Sequence, residues 1–430
     1  MSHRSRQLRV SSLARVEGEG ALRVLIEDGR VARAELNIYE PPRFFEAFLR
    51  GRAHTEPPDI TARICGICPV AYQTSACNAI EQACGVTLRP ALAEVRRLLY
   101  CGEWISSHAL HIYLLHAPDF LGHPDAVSLA TRHRETVERG LALKKAGNTL
   151  LEVIGGRAIH PVNVRVGGFY SLPSRDELRP LAETLRRALD DALETVRWTA
   201  GFEFPELELG HDLLAVYEPD RYAIADGVLH TASGRWFGPG EFSHHVVEEQ
   251  VPHSTALHAT LDGRPYLTGP LARYSLNFAQ LSDTARQAAV EAGLGPACRN
   301  PFQSILVRGV EVVYAIEEAL RIIENYEQPL RPAVDVPAKA GIGHGISEAP
   351  RGTLYHRYAL DAGGLIREAT IVPPTSQNQA AIEDDLRRVV AANLALPDPE
   401  LTALCERTIR NYDPCISCSA HFLDLVLEGR

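Results

Sequence analysis

Apolar residues recur every three or four positions along most of the chain, and this spacing predicts long helices. The clearest example covers residues 90–117, where the spacing persists over several turns. The same criterion predicts helices from about Pro69 onward, over 134–154, 175–202, 280–293 and 304–326, and after Ile382 to about Arg410. The helix at 175 has a favourable start, because Ser174 is followed by acidic residues in the first turn.

Alternating apolar and polar residues towards both ends of the chain predict β-hairpins. Residues 21–40 turn at Glu27-Asp28-Gly29-Arg30, and residues 354–372 turn at Asp361-Ala362-Gly363-Gly364. Short alternating runs rich in Gly and Pro predict strands and loops over 203–275. Since no internal repeat or low-complexity linker divides the chain, we expect an α+β fold with a single large, mainly helical domain and peripheral β-hairpins.

The composition is that of a globular protein and argues against two classes of function. Of the 430 residues, 45% are hydrophobic and 23% are charged, which excludes a disordered chain. Lys and Arg number 44 against 54 Asp and Glu, so the net charge is −10. Proteins that bind nucleic acid or anionic membrane surfaces need concentrated positive charge, so we expect neither partner.

The sequence contains no recognisable targeting or membrane segment. No stretch approaches the roughly 18 uninterrupted apolar residues of a spanning helix, and the basic N-terminus has no apolar signal-peptide core. We therefore expect a cytoplasmic protein, although a subunit can also be exported when its partner carries the signal. Nine cysteines in such a chain predict reduced thiols in metal or catalytic sites.

Two C-x-x-C motifs stand near opposite ends of the chain, at Cys65–Cys68 and Cys415–Cys418. Two thiols three positions apart can bind one metal ion from a single turn, and four thiolates suit zinc or iron first. Structural zinc sites, however, place their two pairs about 15–20 residues apart. We expect the four sulfurs to converge on one metal site, and the residues alone leave a structural and a functional role open.

Six short segments carry a resemblance to a known family. They are Arg15-Val16-Glu17-Gly18, Arg43-Phe44-Phe45-Glu46, Arg63-Ile64-Cys65-Gly66-Ile67-Cys68-Pro69, Glu348-Ala349-Pro350-Arg351-Gly352, Val372-Pro373-Pro374-Thr375-Ser376-Gln377-Asn378 and Asp413-Pro414-Cys415-Ile416-Ser417-Cys418-Ser419-Ala420-His421. In this order they resemble the motifs of nickel–iron hydrogenase large subunits. The cysteine motifs resemble most the alpha subunit of the cytoplasmic, NAD(P)-linked sulfhydrogenase branch.

The resemblance implies a nickel–iron centre at the four cysteines. Cys65 and Cys415 would be terminal nickel ligands, and Cys68 and Cys418 would bridge to an iron that carries cyanide and carbon monoxide. H2 would be cleaved heterolytically and reversibly there, with the proton passing to a base such as the Cys415 sulfur. Glu17, which alone would be a solvated or ion-paired carboxylate at a strand end, would relay that proton with a pKa raised by desolvation.

The resemblance also assigns residues around the centre. Arg351 would lie over the two metals beside a cyanide, with Pro350 next to it, although alone it would pass for a surface arginine. Thr375 would donate a hydrogen bond to the other cyanide. Arg63 could support the cofactor or form an ordinary salt bridge, and the sequence does not separate these two roles.

A magnesium site is implied as well. Glu46 lies in an amphipathic helical stretch and would alone be a surface charge. In the family this glutamate binds Mg²⁺ together with the final histidine of the last motif, here His421, and the backbone carbonyl near Ile371 is a third candidate ligand. A hard oxygen donor suits Mg²⁺, which also keeps several waters.

Two features depart from many relatives. Tyr72 occupies a position where they have histidine, so a histidine-based hydrogen bond or proton step is in doubt there. The Thr375 motif lacks the tryptophan of other branches. Both departures favour the sulfhydrogenase-like branch. The histidines at 108, 111 and 116 lie along one predicted helix, where packing or capping is a better interpretation than metal binding.

Electrons must leave through other chains. The remaining cysteines, at 77, 84, 101, 298 and 405, do not have the spacing of an iron–sulfur cluster motif, and no strand–GxGxxG–helix fingerprint is present. We expect an iron–sulfur small subunit and, in this branch, subunits that carry FAD and NAD(P).

The last nine residues, 422–430, follow the final motif and resemble a maturation extension. A maturation endopeptidase would remove them after His421, which leaves residues 1–421 as the hydrogenase domain. Three alternatives to the enzyme remain at this point: an H2-sensing regulatory subunit, the related subunit of respiratory complex I that has no nickel, and a protein stabilised by zinc. Sulfur is a further electron acceptor to consider beside NAD(P).

Overall fold

The computed structural model describes residues 5–420. Its helices are α1 (Phe45–Leu49), α2 (Pro57–Thr61), α3 (Pro69–Cys84), α4 (Pro90–Leu110), α5 (Ala117–Phe120), α6 (Ala126–Arg132), α7 (Arg134–Gly155), α8 (Arg175–Ala200), α9 (Phe242–His245), α10 (Pro270–Asn277), α11 (Asp283–Glu291), α12 (Ser304–Glu324), α13 (Pro374–Ala392), α14 (Asp398–Asn411) and α15 (Ile416–Ser419). One π-helical segment covers His111–His116, and 3₁₀ turns cover Pro239–Glu241, Phe278–Gln280 and Pro301–Gln303.

The strands form several small sheets. They are β1 (Ser5–Val10), β2 (Gly20–Glu27), β3 (Arg30–Ile38), β4 (Val164–Arg165), β5 (Gly168–Phe169), β6 (Asp212–Tyr217), β7 (Val228–Thr231), β8 (Trp236–Phe237), β9 (Val246–Glu249), β10 (His258–Leu261), β11 (Tyr266–Leu267), β12 (Gly341–Ala349), β13 (Gly352–Leu360) and β14 (Ile366–Val372). Their orders are β1-β2-β3, β4-β5, β11-β6-β7-β8, β10-β9 and β12-β13-β14, and all pairs are antiparallel except β11 with β6.

The long helices α4, α7, α8 and α12 pack together and form the centre of the fold, as the apolar periodicity predicted. Helix α8 begins with a capping box in which the side chains and backbones of Ser174 and Glu177 bond reciprocally, so its predicted start is confirmed. The helix predicted over 90–117 is α4, continued by the π-helical segment. Within residues 5–420, no helix has the length and apolar character needed to cross a membrane.

Both predicted hairpins are present, and each belongs to a three-stranded sheet. The first is β2-β3, with Glu27 paired to Arg30 at the turn, and β1 adds an edge strand. The second is β13-β14, which β12 extends. This second sheet is buried against α3 instead of lying at the periphery, because β12 presents glycines to the helix. A Cβ on Gly343 would lie 1.9 Å from the Ala79 carbonyl oxygen.

The C-terminal helical region differs most from its prediction. The first helix, α13, begins at Pro374, well before Ile382. Residues 393–397 are not helical and separate α13 from α14. The first turns of α13 carry Thr, Ser, Gln and Asn, which are buried although they are polar, so apolar periodicity does not reveal them. Helix α11 starts at Asp283 after a 3₁₀ turn, and α10 lies at the end of the predicted strand region.

Candidate metal centre

Four cysteine thiols from opposite ends of the chain converge in the core. Cys65 Sγ lies 3.3 Å from Cys415 Sγ, and Cys68 Sγ lies 3.5 Å from Cys418 Sγ. All four sulfurs lie within 4.8 Å of one another, and no residue of the four is more than 3% exposed. Metal–sulfur bonds of about 2.3 Å place tetrahedral sulfurs about 3.8 Å apart. Cys415 Sγ and Cys418 Sγ lie closer, at 2.7 Å, but all four sulfurs can reach one common metal site.

The first pair of thiols is held by the start of α3. Cys68 directly precedes this helix, whose first N–H groups have no partner within the helix. Glu103 on α4 satisfies two of them, since its carboxylate accepts from Val70 N at 2.6 Å and Ala71 N at 3.1 Å. Burial raises the pKa of Glu103 well above its usual range, against the lowering effect of these two bonds.

The second pair is held by the N-terminal segment. Glu17 and Cys415 form a parallel β-bridge, in which Ile416 N donates to the Glu17 carbonyl oxygen at 3.0 Å. Gly18 permits this approach, because a Cβ there would lie 2.7 Å from Ile416 Cβ and 2.6 Å from a carboxylate oxygen of Glu40. Its φ of +88° is also one that glycine adopts without strain.

Arg43 joins the two cysteine motifs directly. Its guanidinium donates to the carbonyl oxygen of Ile64, at 2.6 Å, and to that of Ser417. These carbonyls belong to the residues immediately before Cys65 and Cys418. The Arg43 backbone N–H also donates to the Ala420 carbonyl oxygen at 3.1 Å. One side chain therefore fixes the distance between segments that are far apart in sequence.

Glu17 lies beside Cys415, the first cysteine of the second motif. Its Oε2 accepts from Ser417 N at 3.1 Å, and its carboxyl group contacts the Cys415 thiol. Burial raises the pKa of Glu17, and the Cys65 thiol adds to this effect. A carboxyl group with a raised pKa next to a thiol is a better proton acceptor than an exposed carboxylate.

Arg351 faces the thiols from the turn between β12 and β13. Its Nε donates to the Asp413 carbonyl oxygen at 2.9 Å and its Nη2 to the Asp413 carboxylate at 3.1 Å, while its buried Nη1 has no hydrogen-bond partner within residues 5–420. Burial disfavours the cation, but Asp413 and the thiols of Cys415, Cys68 and Cys65 raise the pKa of Arg351 above its usual value. The guanidinium therefore keeps its charge and offers a free N–H to the site.

Two hydroxyl groups lie at the same site. Thr375 Oγ1 accepts from Cys415 N at 2.9 Å, which leaves its own hydroxyl proton available. The buried Tyr72 hydroxyl lies near the Cys418 sulfur and has no hydrogen-bond partner in the described part of the chain. Burial raises the pKa of Tyr72 well above 10, so the group stays neutral. The Tyr72 ring packs on the His356 imidazole, with centroids 5.6 Å apart.

The remaining expected cofactor residues divide into three cases. Pro350 is buried, and its carbonyl accepts from Arg273 at 3.0 Å, so it helps to position the Arg351 turn. Arg63 is exposed, and its positive charge lowers the pKa of Asp59 against the larger raising effect of burial. His421 lies outside the described residues, as does the expected extension at 422–430.

A carboxylate pair lies near the expected magnesium ligands. Glu46 Oε1 accepts from Ile371 N at 2.6 Å. Desolvation, with a contribution from the neighbouring Glu46 carboxylate, raises the pKa of Glu248 to about 8. Glu248 Oε1 accepts from Ser376 Oγ at 2.7 Å. Two carboxylates that repel each other in a poorly hydrated place are suitable ligands for a hard cation.

The helix histidines pack in the core, as expected. His108 Nε2 lies 2.9 Å from Glu311 Oε2, and His111 Nε2 contacts the Arg410 carbonyl oxygen at 2.8 Å. Burial lowers the pKa of His108 to about 4, so its ring is neutral. His116 packs against the His111 ring, with centroids 5.0 Å apart. Among residues 5–420, neither these histidines nor the other five cysteines form a metal-binding group.

Sequence reasoning missed three residues that support the site: Glu103, Arg43 and Glu248. Glu103 had a detectable signal, since it lies within the apolar pattern of α4, and a carboxylate in such a position needs partners. Arg43 belongs to a recognised motif, but its contacts with both cysteine segments depend on the fold. Glu248 lies in a short strand with no local pattern that indicates burial.

Comparison with known proteins gives a consistent result. The nickel-dependent hydrogenase family model matches residues 43–144 and 241–421. The alpha subunit of sulfhydrogenase 1 from Pyrococcus furiosus is 35% identical over 421 residues, which cover 97% of this chain and 98% of that protein. The alpha subunit of sulfhydrogenase 2 from the same organism is 34% identical, covering 97% and 100%.

Solved structures share the fold. An NAD⁺-reducing [NiFe]-hydrogenase in the H2-reduced state superposes with a TM-score of 0.85 at 27% identity, covering 97% of this chain and 99% of that one. The Ni-Fe-Se hydrogenase from Desulfovibrio vulgaris Hildenborough has a TM-score of 0.77 at 20% identity, covering 97% and 100%, and shows the same fold. Similarity along nearly the whole length, together with the converging thiols, shows that this chain belongs to the nickel-dependent hydrogenase family, as a large catalytic subunit.

Proposed function

We propose that this subunit cleaves H2 reversibly at a nickel–iron centre and exchanges electrons with NAD(P) through partner subunits. The observation that carries the proposal is the convergence of four buried thiols with a carboxyl group and an arginine that has a free N–H. Cys65 and Cys415 would bind nickel alone, and Cys68 and Cys418 would bind both metals. The bound centre supplies the heterolytic cleavage of H2.

The polar groups around the thiols fit such a centre. Cyanide ligands on iron are hydrogen-bond acceptors, and Arg351 Nη1 and the Thr375 hydroxyl are donors that the protein leaves available. The Arg351 cation also offsets the negative charge of the thiolates. The Tyr72 hydroxyl, which lies near the Cys418 sulfur, is a further donor that the protein leaves available, in the position where many relatives use histidine. The buried surroundings exclude water, which strengthens each of these interactions.

Proton transfer uses Cys415 and Glu17. The Cys415 sulfur accepts the proton, and the adjacent Glu17 carboxylate takes it from there towards solvent. Glu17 suits this role because its carboxyl group contacts the thiol on one side and is held by Ser417 N on the other. Its raised pKa brings the carboxyl group closer to the range in which it can both accept and release a proton.

A magnesium ion near the C-terminal motif is part of the proposal. Glu46 would be a direct ligand, with the backbone at Ile371 and with His421. The nearby Glu248 carboxylate supports this position, since a divalent cation would relieve its repulsion with Glu46. The ion would connect α1 with β14 and stabilise the chain next to the thiols.

Partner subunits complete the enzyme. An iron–sulfur small subunit would carry electrons, and subunits with FAD and NAD(P) would complete the path, as in a cytoplasmic enzyme of the sulfhydrogenase type. The solved NAD⁺-reducing structure supports this coupling. We also propose that a maturation endopeptidase cuts after His421. Ala420 is buried, so cleavage would precede closure of the C-terminal segment on the site.

Infrared spectroscopy of the co-purified complex, with metal analysis of the same sample, tests the centre. We expect the stretching bands of bound cyanide and carbon monoxide, and nickel together with an excess of iron, because the iron–sulfur clusters of the small subunit also contain iron. Catalytic H2 turnover would distinguish the enzyme from an H2 sensor. Zinc without nickel, or nickel without the diatomic bands, would contradict the proposal.

The variant Glu17→Gln tests the relay. Glutamine has nearly the same shape but cannot carry the proton, so the rate of isotope exchange between D2 and water should fall by about 10²–10⁴-fold. Nickel content and the infrared bands should stay as in the wild type. An unchanged exchange rate would remove Glu17 from the proton path.

A further inference from the structure

A second group of metal-binding side chains lies outside the cysteine cluster. His253, His258 and Glu383 each offer one ligand atom, and the three atoms lie within 4.8 Å of one another. None of these residues lies in the segments that carry the hydrogenase resemblance. We propose that they form a binding site for a divalent transition-metal ion of the zinc class. Two imidazoles and one carboxylate are a common ligand set for such an ion.

Like His211, which is discussed below, His258 has a buried ring nitrogen without a hydrogen-bond partner within residues 5–420. This first residue of β10 is 8% exposed, and its Nε2 has no hydrogen-bond partner within residues 5–420. A buried polar nitrogen without a partner costs about 1–3 kcal/mol, so native proteins rarely keep one. Coordination of an ion by Nε2 would satisfy this atom.

The other two ligands already lie in contact. His253 Nε2 lies 2.7 Å from Glu383 Oε1, and the rings of His253 and His258 meet edge to face, with centroids 5.4 Å apart. Within residues 5–420, the salt-bridge partner of Glu383 is His253, and no Lys or Arg neutralises this carboxylate. The nearby Glu35 carboxylate adds negative potential. The site therefore favours a cation.

Three different elements hold the ligands in place. Glu383 lies on α13 and also accepts from Leu36 N at 2.9 Å. The loop between β9 and β10 carries His253, whose carbonyl oxygen accepts from Asn37 Nδ2 at 3.1 Å. In the same loop, Thr255 N donates to the Ile38 carbonyl oxygen at 2.8 Å. Because hydrogen bonds to β3 hold both Glu383 and the loop that carries His253, these side chains need little ordering when an ion binds.

The site has access to solvent. His253 lines a cavity of about 420 Å³ together with Arg9, Arg23, Asn37 and others. Three protein ligands leave one position of a tetrahedral ion open, which is typical of sites that bind a further ligand. With two arginines in the cavity wall, the open position would accept water or a small anion.

A second histidine–carboxylate cluster on the same helix provides a control. His211 lies 3.4 Å from Asp385 Oδ1 and 3.6 Å from Asp384 Oδ2. Its carboxylates are already neutralised, since Arg388 donates to Asp385 at 2.9 Å and Arg387 donates to Asp384 at 3.0 Å. An ion would have to displace these guanidinium groups, so we expect this cluster to remain without metal.

Cobalt binding to the purified hydrogenase complex tests the proposal. In the mature complex the four cysteines are occupied, so added Co²⁺, a spectroscopic substitute for Zn²⁺, reports on other sites. After incubation and gel filtration, wild type should retain about one equivalent of Co²⁺ more than His258→Ala or Glu383→Gln, with visible absorption that Zn²⁺ abolishes by competition. The control His211→Ala should retain as much as wild type.

Two results would overturn the proposal. One is equal Co²⁺ retention by wild type and both ligand variants, and the other is a loss caused by His211→Ala alone. Nickel content measured on the same samples shows that each variant has matured. If His258→Ala does not assemble, the Co²⁺ retention of Glu383→Gln decides the test. Its amide has nearly the shape of the carboxylate but lacks the negative charge. The result does not depend on the hydrogenase activity.

Discussion

Two buried arginines, Arg273 and Arg351, represent two ways in which this protein holds charge in its core. Arg273 is completely paired: it donates to both oxygens of Glu311, to Glu348 at 3.0 Å and to two backbone carbonyls. Its guanidinium also stacks on Trp104, 4.5 Å from the ring centroid. Burial alone would raise the pKa of Glu311, but Arg273 and His108 hold it well below its usual value.

Arg351 is only half paired. Asp413 accepts from one side of its guanidinium, and Nη1 on the other side has no partner within residues 5–420 and faces the thiols. The backbone connects the two arginines, because the carbonyl of Pro350 accepts from Arg273. The fully hydrogen-bonded Arg273 network thus supports the turn that carries Arg351, whose Nη1 has no partner within residues 5–420.

The comparison separates buried charges that stabilise the fold from buried groups that remain able to bind a ligand. Saturated buried charges cannot accept a ligand without breaking a bond, so the Arg273 network is structural. An unpaired buried donor costs about 1–3 kcal/mol and is retained where a ligand satisfies it. Arg351 has this character, and so does the unpaired nitrogen of His258.

The largest effect is expected for Cys415→Ser. Serine is a poor ligand for a soft metal, so nickel should be absent from the purified subunit and H2 turnover should be abolished. Cys405→Ser is the matched control, because Cys405 is buried but lies outside the thiol cluster. Metal analysis measures the nickel content of the two variants, and H2 uptake measures their turnover. A full nickel content in Cys415→Ser would contradict the assignment.

Arg351→Lys should separate activity from stability. Lysine keeps the charge next to Asp413 but loses the planar group that donates on two sides. We expect H2 turnover per nickel to fall by about 10²–10³-fold, the usual cost of removing a positioned donor, with little change in melting temperature. A large drop in melting temperature with normal turnover per nickel would instead make Arg351 structural.

Arg273→Met should give the opposite pattern. Glu311 and Glu348 would remain buried without their cation, which typically costs about 3–5 kcal/mol. We expect a clearly lower melting temperature and less matured protein, while the matured fraction keeps its turnover per nickel within a few-fold. Thermal unfolding monitored by circular dichroism, with activity per nickel, measures this. An unchanged melting temperature would show that the network does not carry stability.

The smallest effect is expected for Tyr72→Phe. The Tyr72 hydroxyl lies near the Cys418 sulfur, and the loss of one hydroxyl donor typically costs about 1 kcal/mol, so turnover should change by less than about 10-fold. The sulfur would then donate more electron density to the metals, and the carbon monoxide band should move to lower wavenumber. Tyr72→His, which supplies another donor, should move the band back. An identical band in all three proteins would mean that the hydroxyl does not touch the sulfur.

Much of the fold follows from local sequence pattern. The helices α4, α7, α8 and α12 and the β2-β3 and β13-β14 hairpins were predicted because periodicity and turn residues act over a few neighbouring positions. The start of α13 escaped prediction, since its buried residues are polar and their partners come from other elements. Thr375, for example, bonds Cys415 N, and Ser376 bonds Glu248.

The site shows the same division. Motifs in the sequence identify the thiols and Glu17 as candidates for the chemistry. The folded structure is needed to show that Arg43 joins both cysteine segments, that Arg63 is exposed and that Arg351 keeps a free N–H. The physical reason is that a motif specifies side-chain chemistry locally. Burial and hydrogen-bond pairing, in contrast, depend on groups that packing brings together from distant parts of the chain.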